Sequence, residues 1–324
     1  MVSSTSARRR RRADDFSIAL CVGAVTALVL GGCSVAQIPS QDPQQVADVI
    51  DTTTVTYQGQ APQVVLVPAG ATGVLIDAIG GGGGAGTDDR GSLGAEVRTQ
   101  QAWPVKAGEG LAVSIGGRGQ NGSNEIPGAG GWGGNGGNGG TGGTNPMVDG
   151  GAGAGGATTV QFSTGTTTAL RLLVVAGGGG GGGSEREDSV QTDLPDDVTG
   201  AADFAGGDAG TNPEAGGTNP DFTIWQGSRG HGPAGGLAGV DTDGPNGGLG
   251  GLGVDGGGSG GGGGGGFQGG YGGNGASGDD HNGSGGGAGS TAVAVQIASG
   301  VVVAPAPDSY RNQNGQVVLT WLTS

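Results

Sequence analysis

Short runs of apolar and β-branched residues recur along the chain after residue 51, and turn residues bound each run. Within residues 111–115 (LAVSI) large apolar side chains alternate with small ones, as on a half-buried strand. Residues 170–176 (LRLLVVA) are almost continuously apolar, which predicts a central strand buried on both faces. Further strands are predicted at residues 52–57, 63–67, 74–79, 95–105, 291–297 and 317–323. This pattern predicts an all-β, jelly-roll-like β-sandwich.

Glycine-rich tracts lie between these runs, and several of them have a three-residue period. In residues 129–144 (AGGWGGNGGNGGTGGT) every third residue carries a side chain and the two between are glycine. The same spacing recurs in residues 246–255 and 268–277. A period of three matches the polyproline II conformation, and glycine in that conformation retains the N–H that proline lacks. The tracts are therefore predicted to form polyglycine II helices that bond laterally in bundles inserted into the sandwich.

Composition raises the alternative of disorder. The 324 residues include 85 Gly and 14 Pro, a share that without any period is typical of low-complexity chains. Ordering glycine also costs about 0.5–1 kcal/mol more than ordering alanine in regular structure. The period and the strand-like runs favour order, while the acidic residues 184–245 are predicted to be a mobile insert. A largely disordered glycine-rich envelope protein is the alternative.

The N-terminus has the three parts of an export signal. Five arginines at residues 8–12 precede a mostly apolar run at residues 16–30, which is shorter than the ~20 residues that span a bilayer. The run ends in Leu-Gly-Gly-Cys at residues 30–33, which resembles a bacterial lipobox. This resemblance implies that Cys33 receives a diacylglycerol and that the chain is cleaved before it. The alternatives are a signal cleaved elsewhere and an uncleaved anchor.

These features divide the chain into a lipoprotein signal peptide (residues 1–32), a flexible spacer (33–50) and a glycine-rich β domain (51–324). Two acyl chains would hold Cys33 stably at the membrane, and export would place the domain on the extracytoplasmic face. The only other cysteine, Cys21, lies in the signal, so no disulfide or thiolate metal site is expected after cleavage.

Charge excludes one class of partner. Removal of residues 1–32 takes away five Arg and two Asp and changes the net charge from −15 to −18, with Lys106 as the only lysine. Such a surface repels phosphate backbones, so nucleic-acid binding is not expected.

The sequence motifs of catalytic and metal sites that occur in this chain are explained by its glycine repetition. Ser259 lies in a G-x-S-x-G match, but a nucleophile elbow needs a helix after the serine, and the pattern predicts none. The only histidines, His231 and His281, lie in glycine-rich surroundings. Residues 250–255 imitate the start of a calcium-binding repeat without a second copy, and residues 188–197 and 241–243 are better explained as solvated acidic loops. No catalytic residue, cofactor or metal site is therefore predicted. Trp132, Phe267 and Tyr271 on the glycine tracts are expected to pack rather than to bind.

The order of several segments resembles a known family. These segments are VPAGATGV (67–74), VKAGEGL (105–111), GGATTV (155–160), LLVVA followed by seven glycines (172–183), seven glycines (260–266) and NGQVVLTW (314–321). Their order is similar to the glycine-rich domain of the anaplastic lymphoma kinase and leukocyte tyrosine kinase receptors, which is also found in bacterial surface proteins. The resemblance covers about residues 51–324 and implies a β-sandwich with polyglycine II bundles. It implies neither kinase activity, because the kinase motifs are absent, nor the receptors' cytokine binding.

The sequence thus predicts a non-enzymatic, lipid-anchored envelope protein with a structural, adhesive or partner-binding domain, its protein or envelope partner unidentified. A secreted hydrolase with an unrecognised site is the alternative. A polar cluster converging in a pocket would favour it.

Overall fold

The computed structural model describes residues 47–86, 91–123, 126–144, 150–163, 170–184, 220–227, 244–255, 257–277 and 282–323. These residues belong to one compact unit, Gln45–Ser324. Twelve strands form two antiparallel sheets in this part of the chain. The strands are β1 (Asp48–Thr56), β2 (Gln63–Leu66), β3 (Gly73–Ile79), β4 (Ala95–Arg98), β5 (Trp103–Pro104), β6 (Gly110–Ser114), β7 (Thr158–Ser163), β8 (Arg171–Ala176), β9 (Phe222–Trp225), β10 (Thr291–Ala294), β11 (Val302–Pro305) and β12 (Gln316–Thr323).

The first sheet has the order β1-β12-β3-β4-β11, with β5 also paired to β3, and the second has the order β2-β6-β7-β8-β10-β9. Inward side chains of both sheets share one apolar cluster, with Ile76, Leu111, Val160, Leu319 and Trp321 among its most buried members. Because strand side chains alternate between faces, this shared cluster defines a sandwich. The prediction of an all-β sandwich is confirmed.

Strand β8 is buried on both faces, as its apolar run predicts. Val174 lies in the inter-sheet core, whereas Val175 joins a second cluster on the opposite face with Ile224 and Ala292. A register shift between Val160 and Gln161 of β7 accompanies the pairing with β8. The strand occupies the middle of its sheet, between β7 and β10.

Several boundaries differ from the predicted ones. Strand β1 begins at Asp48 and so includes residues that the sequence assigns to the spacer. The run at residues 95–105 forms two strands, β4 and β5, and the run at 291–297 ends in a 3₁₀ turn at Val295–Ile297. Three strands, β7, β9 and β11, are additional to the predicted set.

Strand β9 lies within the predicted mobile insert. Phe222–Trp225 pairs with β10 over four residues and places Ile224 and Trp225 in buried positions. Within the predicted insert this apolar stretch thus gains burial at the sheet edge. Residues 185–219 and 228–243 lie outside the described part of the chain.

Glycine segments continue directly from the strands. Strands β3, β6 and β8 run into glycine-rich residues after their last residue, and other glycine segments lead into β4, β7 and β10. The sandwich and the glycine region are thus one continuous structure, in which the same chain changes from strand to glycine helix.

Residues 150–157, here called inner helix 1, show how the glycine segments are held. The seven N–H groups from Gly151 to Ala157 donate to backbone carbonyls at 2.8–3.1 Å. Their acceptors rotate among three segments, with a period of three residues: residues 115–123, 136–144 and 177–184. The carbonyls of this helix accept from three further segments: residues 80–86, 126–132 and 257–266. Six neighbours around one threefold helix is the lateral packing predicted for polyglycine II.

Residues 257–266, here called inner helix 2, have the same environment. The N–H groups from Gly260 to Gly266 donate at 2.8–3.0 Å to residues 245–251, 284–287 and 152–155. No glycine at 151–156 or 258–266 has a positive φ, which agrees with a polyproline II-like backbone. In the described residues the glycine tracts form the laterally hydrogen-bonded helices that the prediction of order requires.

Space, rather than φ, requires glycine in the inner helices. A Cβ added at Gly153 or Gly262 would lie well under 3.0 Å from backbone atoms of the neighbouring helix. Ala152, Ala154 and Ala157 are nevertheless fully buried, so the lattice admits a methyl group at selected positions. Whether a position accepts a Cβ therefore depends on whether a neighbouring backbone already occupies that space.

Gly262→Ala is expected to destabilise the fold by about 3 kcal/mol or more, because its methyl group would displace the backbone of Gly140. The control is Gly244→Ala, where no atom lies within 4 Å of an added Cβ. That variant should stay within about 0.5 kcal/mol of wild type. Thermal unfolding of both variants measures the difference. Equal stabilities would contradict the lattice.

Amide hydrogen exchange provides a second check. The amides of residues 151–157 and 260–266 should exchange orders of magnitude more slowly than in a free peptide, because each donates to an enclosed carbonyl. Exchange is measured by mass spectrometry, with the same protein in concentrated guanidinium as the reference. Identical rates in the two conditions would show that the glycine helices are not formed.

Candidate functional site at the junction of the sandwich and the glycine bundle

The glycine segments at the surface carry rows of exposed side chains. The row on residues 245–255 consists of Asn246, Leu249, Leu252 and Asp255, all of which are exposed. Successive members of such a row lie ~9 Å apart, since three residues of the helix rise about 3.1 Å each. Glycines between them, such as Gly247, Gly250 and Gly251, form the lateral hydrogen bonds. The three-residue period in the sequence therefore marks outer helices, whereas inner helices consist of glycine with a few small residues such as Ala152, Ala154 and Ser259.

The three aromatic residues of the glycine tracts have different environments. Phe267 contacts Phe222 of β9 with ring centroids 5.2 Å apart, and so joins the bundle to the outer face of the second sheet. Trp132 is half-buried, and its backbone carbonyl accepts a hydrogen bond from the N–H of Gly117. Tyr271 is 64% exposed. The packing prediction thus holds for Phe267 and does not hold for Tyr271.

Ser259 is fully buried within inner helix 2, where its backbone N–H donates to Ser184 Oγ at 2.7 Å. A serine enclosed in a glycine lattice is inaccessible to substrate, so the G-x-S-x-G match does not form a nucleophile elbow. Asp255 is exposed, and the described residues include no group of three or more His, Cys, Asp or Glu that could hold a metal ion.

The other residues singled out from the sequence lie outside the described part of the chain. They are Cys21, Cys33, His231, His281 and the acidic stretches at residues 188–197 and 241–243. Among the described residues, none belongs to a helix of the length and hydropathy needed to cross a bilayer.

A concave site lies at the junction between the sandwich and the bundle. It is an open groove of about 450 Å³ between the end of β1, the turn that precedes β12, and the start of β12. Thr56, Tyr57, Ser309, Tyr310, Gln313, Asn314, Gly315 and Gln316 line it. We call it the junction groove. Its volume lies within the ~300–1,000 Å³ typical of small-molecule sites.

The groove wall is held by backbone contacts with the glycine bundle. The N–H of Gly82 donates to the carbonyl of Gln313 at 2.9 Å, and the N–H of Gly315 donates to the carbonyl of Gly116 at 2.8 Å. The side chain of Asn314 accepts from the backbone N–H of Arg118 at 2.9 Å. These bonds fix the turn against two glycine segments, so the groove is preorganised.

Sequence reasoning missed this groove because its two halves are distant in the chain. The β1–β12 pairing, with Thr56 opposite Gln316, brings residues 56–57 next to residues 309–316. A weak signal was present, since two of the three tyrosines of the chain lie at these ends: Tyr57 is the last residue of the predicted first strand, and Tyr310 precedes the predicted last strand. The expectation of aromatic packing was directed at the glycine tracts instead.

Charged groups cluster elsewhere, on the outer face of the first sheet. Arg98 Nε lies 3.2 Å from Asp77 Oδ2 and 2.9 Å from Glu96 Oε1. Burial raises the pKa of Asp77, and the neighbouring carboxylate of Glu96 raises it further, while Arg98 opposes the rise. Asp77 Oδ1 is buried without a hydrogen-bond partner, which agrees with the dominance of burial.

Neither the family models nor the curated proteins against which the chain was compared include a match.

The raised pKa of Asp77 has a consequence for stability. Because the folded pKa lies above the unfolded value of about 3.8, the favourable contribution of the protonated carboxyl is lost as pH rises through the folded pKa. Asparagine does not titrate, so Asp77→Asn removes this loss. The free energy of unfolding of the variant minus that of wild type should therefore increase from about pH 4 to pH 7. Urea unfolding across this range measures it, with the exposed substitution Asp51→Asn as a control for the lost charge. A difference that stays constant or decreases with pH would contradict the assignment.

Proposed function

We propose that this chain is an extracytoplasmic lipoprotein, anchored through Cys33, that displays a rigid, non-enzymatic recognition domain at the cell envelope. The observation that carries the proposal is the hydrogen-bonded glycine bundle continuous with the sandwich. Such a bundle fixes the positions of surface side chains without an apolar interior, which suits a recognition platform.

The support for recognition comes from where the rigid parts meet solvent. Outer glycine helices present side chains at fixed intervals, and the junction groove is held by bonds from two glycine segments. Preorganised surfaces lose less conformational entropy on binding than flexible ones do. A protein that acts by display gains from this rigidity, whereas catalysis would need converging reactive groups.

The support for anchoring comes from the N-terminal sequence. The arginine block, the short apolar run and the Leu-Gly-Gly-Cys ending are the parts of a lipoprotein signal. Residues 34–47 separate Cys33 from the first strand, and an extended chain of this length reaches at most ~50 Å. The proposed spacer is long enough to hold the domain clear of the lipid headgroups.

The same proposal includes kinship with the glycine-rich domain of the anaplastic lymphoma kinase and leukocyte tyrosine kinase receptors. A two-sheet sandwich whose strands continue into polyglycine II helices is what that resemblance implies, and the described residues have this architecture. The kinship concerns the fold and carries no ligand over to this chain.

Cys33→Ala is expected to release the protein from the membrane fraction of a bacterial host and to abolish its labelling by a radioactive fatty acid. The thiol of Cys33 is the proposed acylation site. Without acyl chains the mature protein has no stable anchor in the membrane. Cys21→Ala is the matched control, since it changes the only other cysteine and should leave both readouts unchanged. A Cys33→Ala protein that stays labelled and membrane-bound would refute the anchor.

A further inference from the structure

The chemistry of the junction groove indicates what it binds. None of the eight described residues that line it is Asp, Glu, His, Lys or Arg. A charged ligand would lose hydration on entering the groove without gaining an opposite charge, so the lining favours a neutral ligand.

The charged residues of the turn itself, Asp308 and Arg311, are paired with each other. Arg311 Nη2 lies 2.8 Å from Asp308 Oδ1, and Arg311 Nη1 donates to the carbonyl of Gly91 at 2.6 Å. The one guanidinium within the turn is therefore already bound to protein groups. The electrostatic character of the groove is set by amides, hydroxyls and aromatic rings.

The lining offers both hydrogen-bond donors and acceptors. Gln313 contributes a carboxamide at an exposed position, and the hydroxyls of Thr56 and Ser309 are also exposed. A hydroxyl group both donates and accepts, and a carboxamide has two donors and one acceptor atom. This mixture complements a ligand rich in hydroxyl groups, because each ligand hydroxyl donates a hydrogen bond to an acceptor and accepts one from a donor.

Two tyrosine rings supply the apolar part of the surface. Tyr57 is half-buried and packs against the apolar core of the sandwich, and the hydroxyl of Tyr310 donates to Gln316 Oε1. Both rings are therefore fixed in place, and each combines an apolar face with a polar edge. A sugar ring has the matching properties, with apolar C–H groups on its faces and hydroxyls at its edge.

We propose that the junction groove binds a neutral carbohydrate chain, with Tyr310 and Gln313 as principal contacts. The open shape of the groove accommodates an internal stretch of a polysaccharide as well as its end. A peptide is the less favoured ligand, because the lining contains no Leu, Ile, Val, Met or Phe to receive an apolar anchor residue. The inference deepens the proposed recognition role by naming the ligand class.

Affinity electrophoresis and calorimetry of the full-length chain in mild detergent test this proposal. The probes are soluble neutral glucan, mannan and galactan, with an anionic polysaccharide and an uncharged polar peptide for comparison. We expect at least one neutral polysaccharide to bind, with little binding of the anionic polysaccharide or the peptide. Failure of all three neutral probes, or preference for the anionic probe or the peptide, would overturn the assignment.

Variants assign the binding to the groove. Tyr310→Ala should weaken binding about tenfold or more and Gln313→Ala several-fold, in line with the loss of one stacked ring or one hydrogen bond. Tyr271→Ala is the matched control, because it removes an exposed tyrosine from the glycine bundle and should leave binding unchanged. Equal effects of Tyr310→Ala and Tyr271→Ala would overturn the proposal.

Since Tyr310 also contacts Gln316, the thermal unfolding of each variant is measured alongside binding. Gln313 is exposed, so Gln313→Ala tests the groove even if Tyr310→Ala fails to fold. Binding that Gln313→Ala leaves unchanged would count against the groove. The binding experiment does not depend on acylation. A negative binding result therefore does not contradict the Cys33 anchor, and failure of the anchor experiment does not contradict carbohydrate binding in the groove.

Discussion

The structure depends on backbone hydrogen bonds between neighbouring glycine helices. In most domains the interior is made of side chains, whereas inner helices 1 and 2 are surrounded by other backbones. Each such bond contributes a net ~0.5–1.5 kcal/mol, and an unmade buried one costs ~1–3 kcal/mol, so the bundle is stable only when nearly every N–H finds a carbonyl. Successive N–H groups point in three directions around the helix axis and donate in turn to three neighbouring segments, so this condition is met. Glycine is required since a Cβ at most of these positions would occupy the space of a neighbouring carbonyl.

The sandwich and the bundle stabilise each other. Strands β3, β6 and β8 run into the bundle at positions that the sheets already fix. This reduces the entropy that the following glycines lose on ordering. In return, the glycine segments cover the end of the sandwich and, through Phe267 and β9, part of its second sheet. Side-chain burial and backbone bonding therefore act in separate regions of one chain, and the strands connect them.

The sequence predicts those parts of the structure that repeat locally. The alternation at residues 111–115 and the apolar run at 170–176 identify β6 and β8, and the three-residue period identifies the outer helices together with their exposed edge. Strand β9 was missed because its four residues stand alone within an acidic stretch, and its burial comes from pairing with β10 and from Phe267. The junction groove depends on the register of β1 against β12, which no local pattern contains.

The same physics limits where a binding site can form. On an outer glycine helix only one residue in three is free to vary, and on an inner helix nearly every substitution meets backbone. Larger side chains can converge only where the lattice ends and the chain turns back into a strand. The turn between β11 and β12 is such a place, since it is bonded to Gly82 and Gly116 and yet carries Ser309, Tyr310 and Gln313 at its surface. A rigid lattice with few variable positions thus directs recognition to its junction with the sandwich.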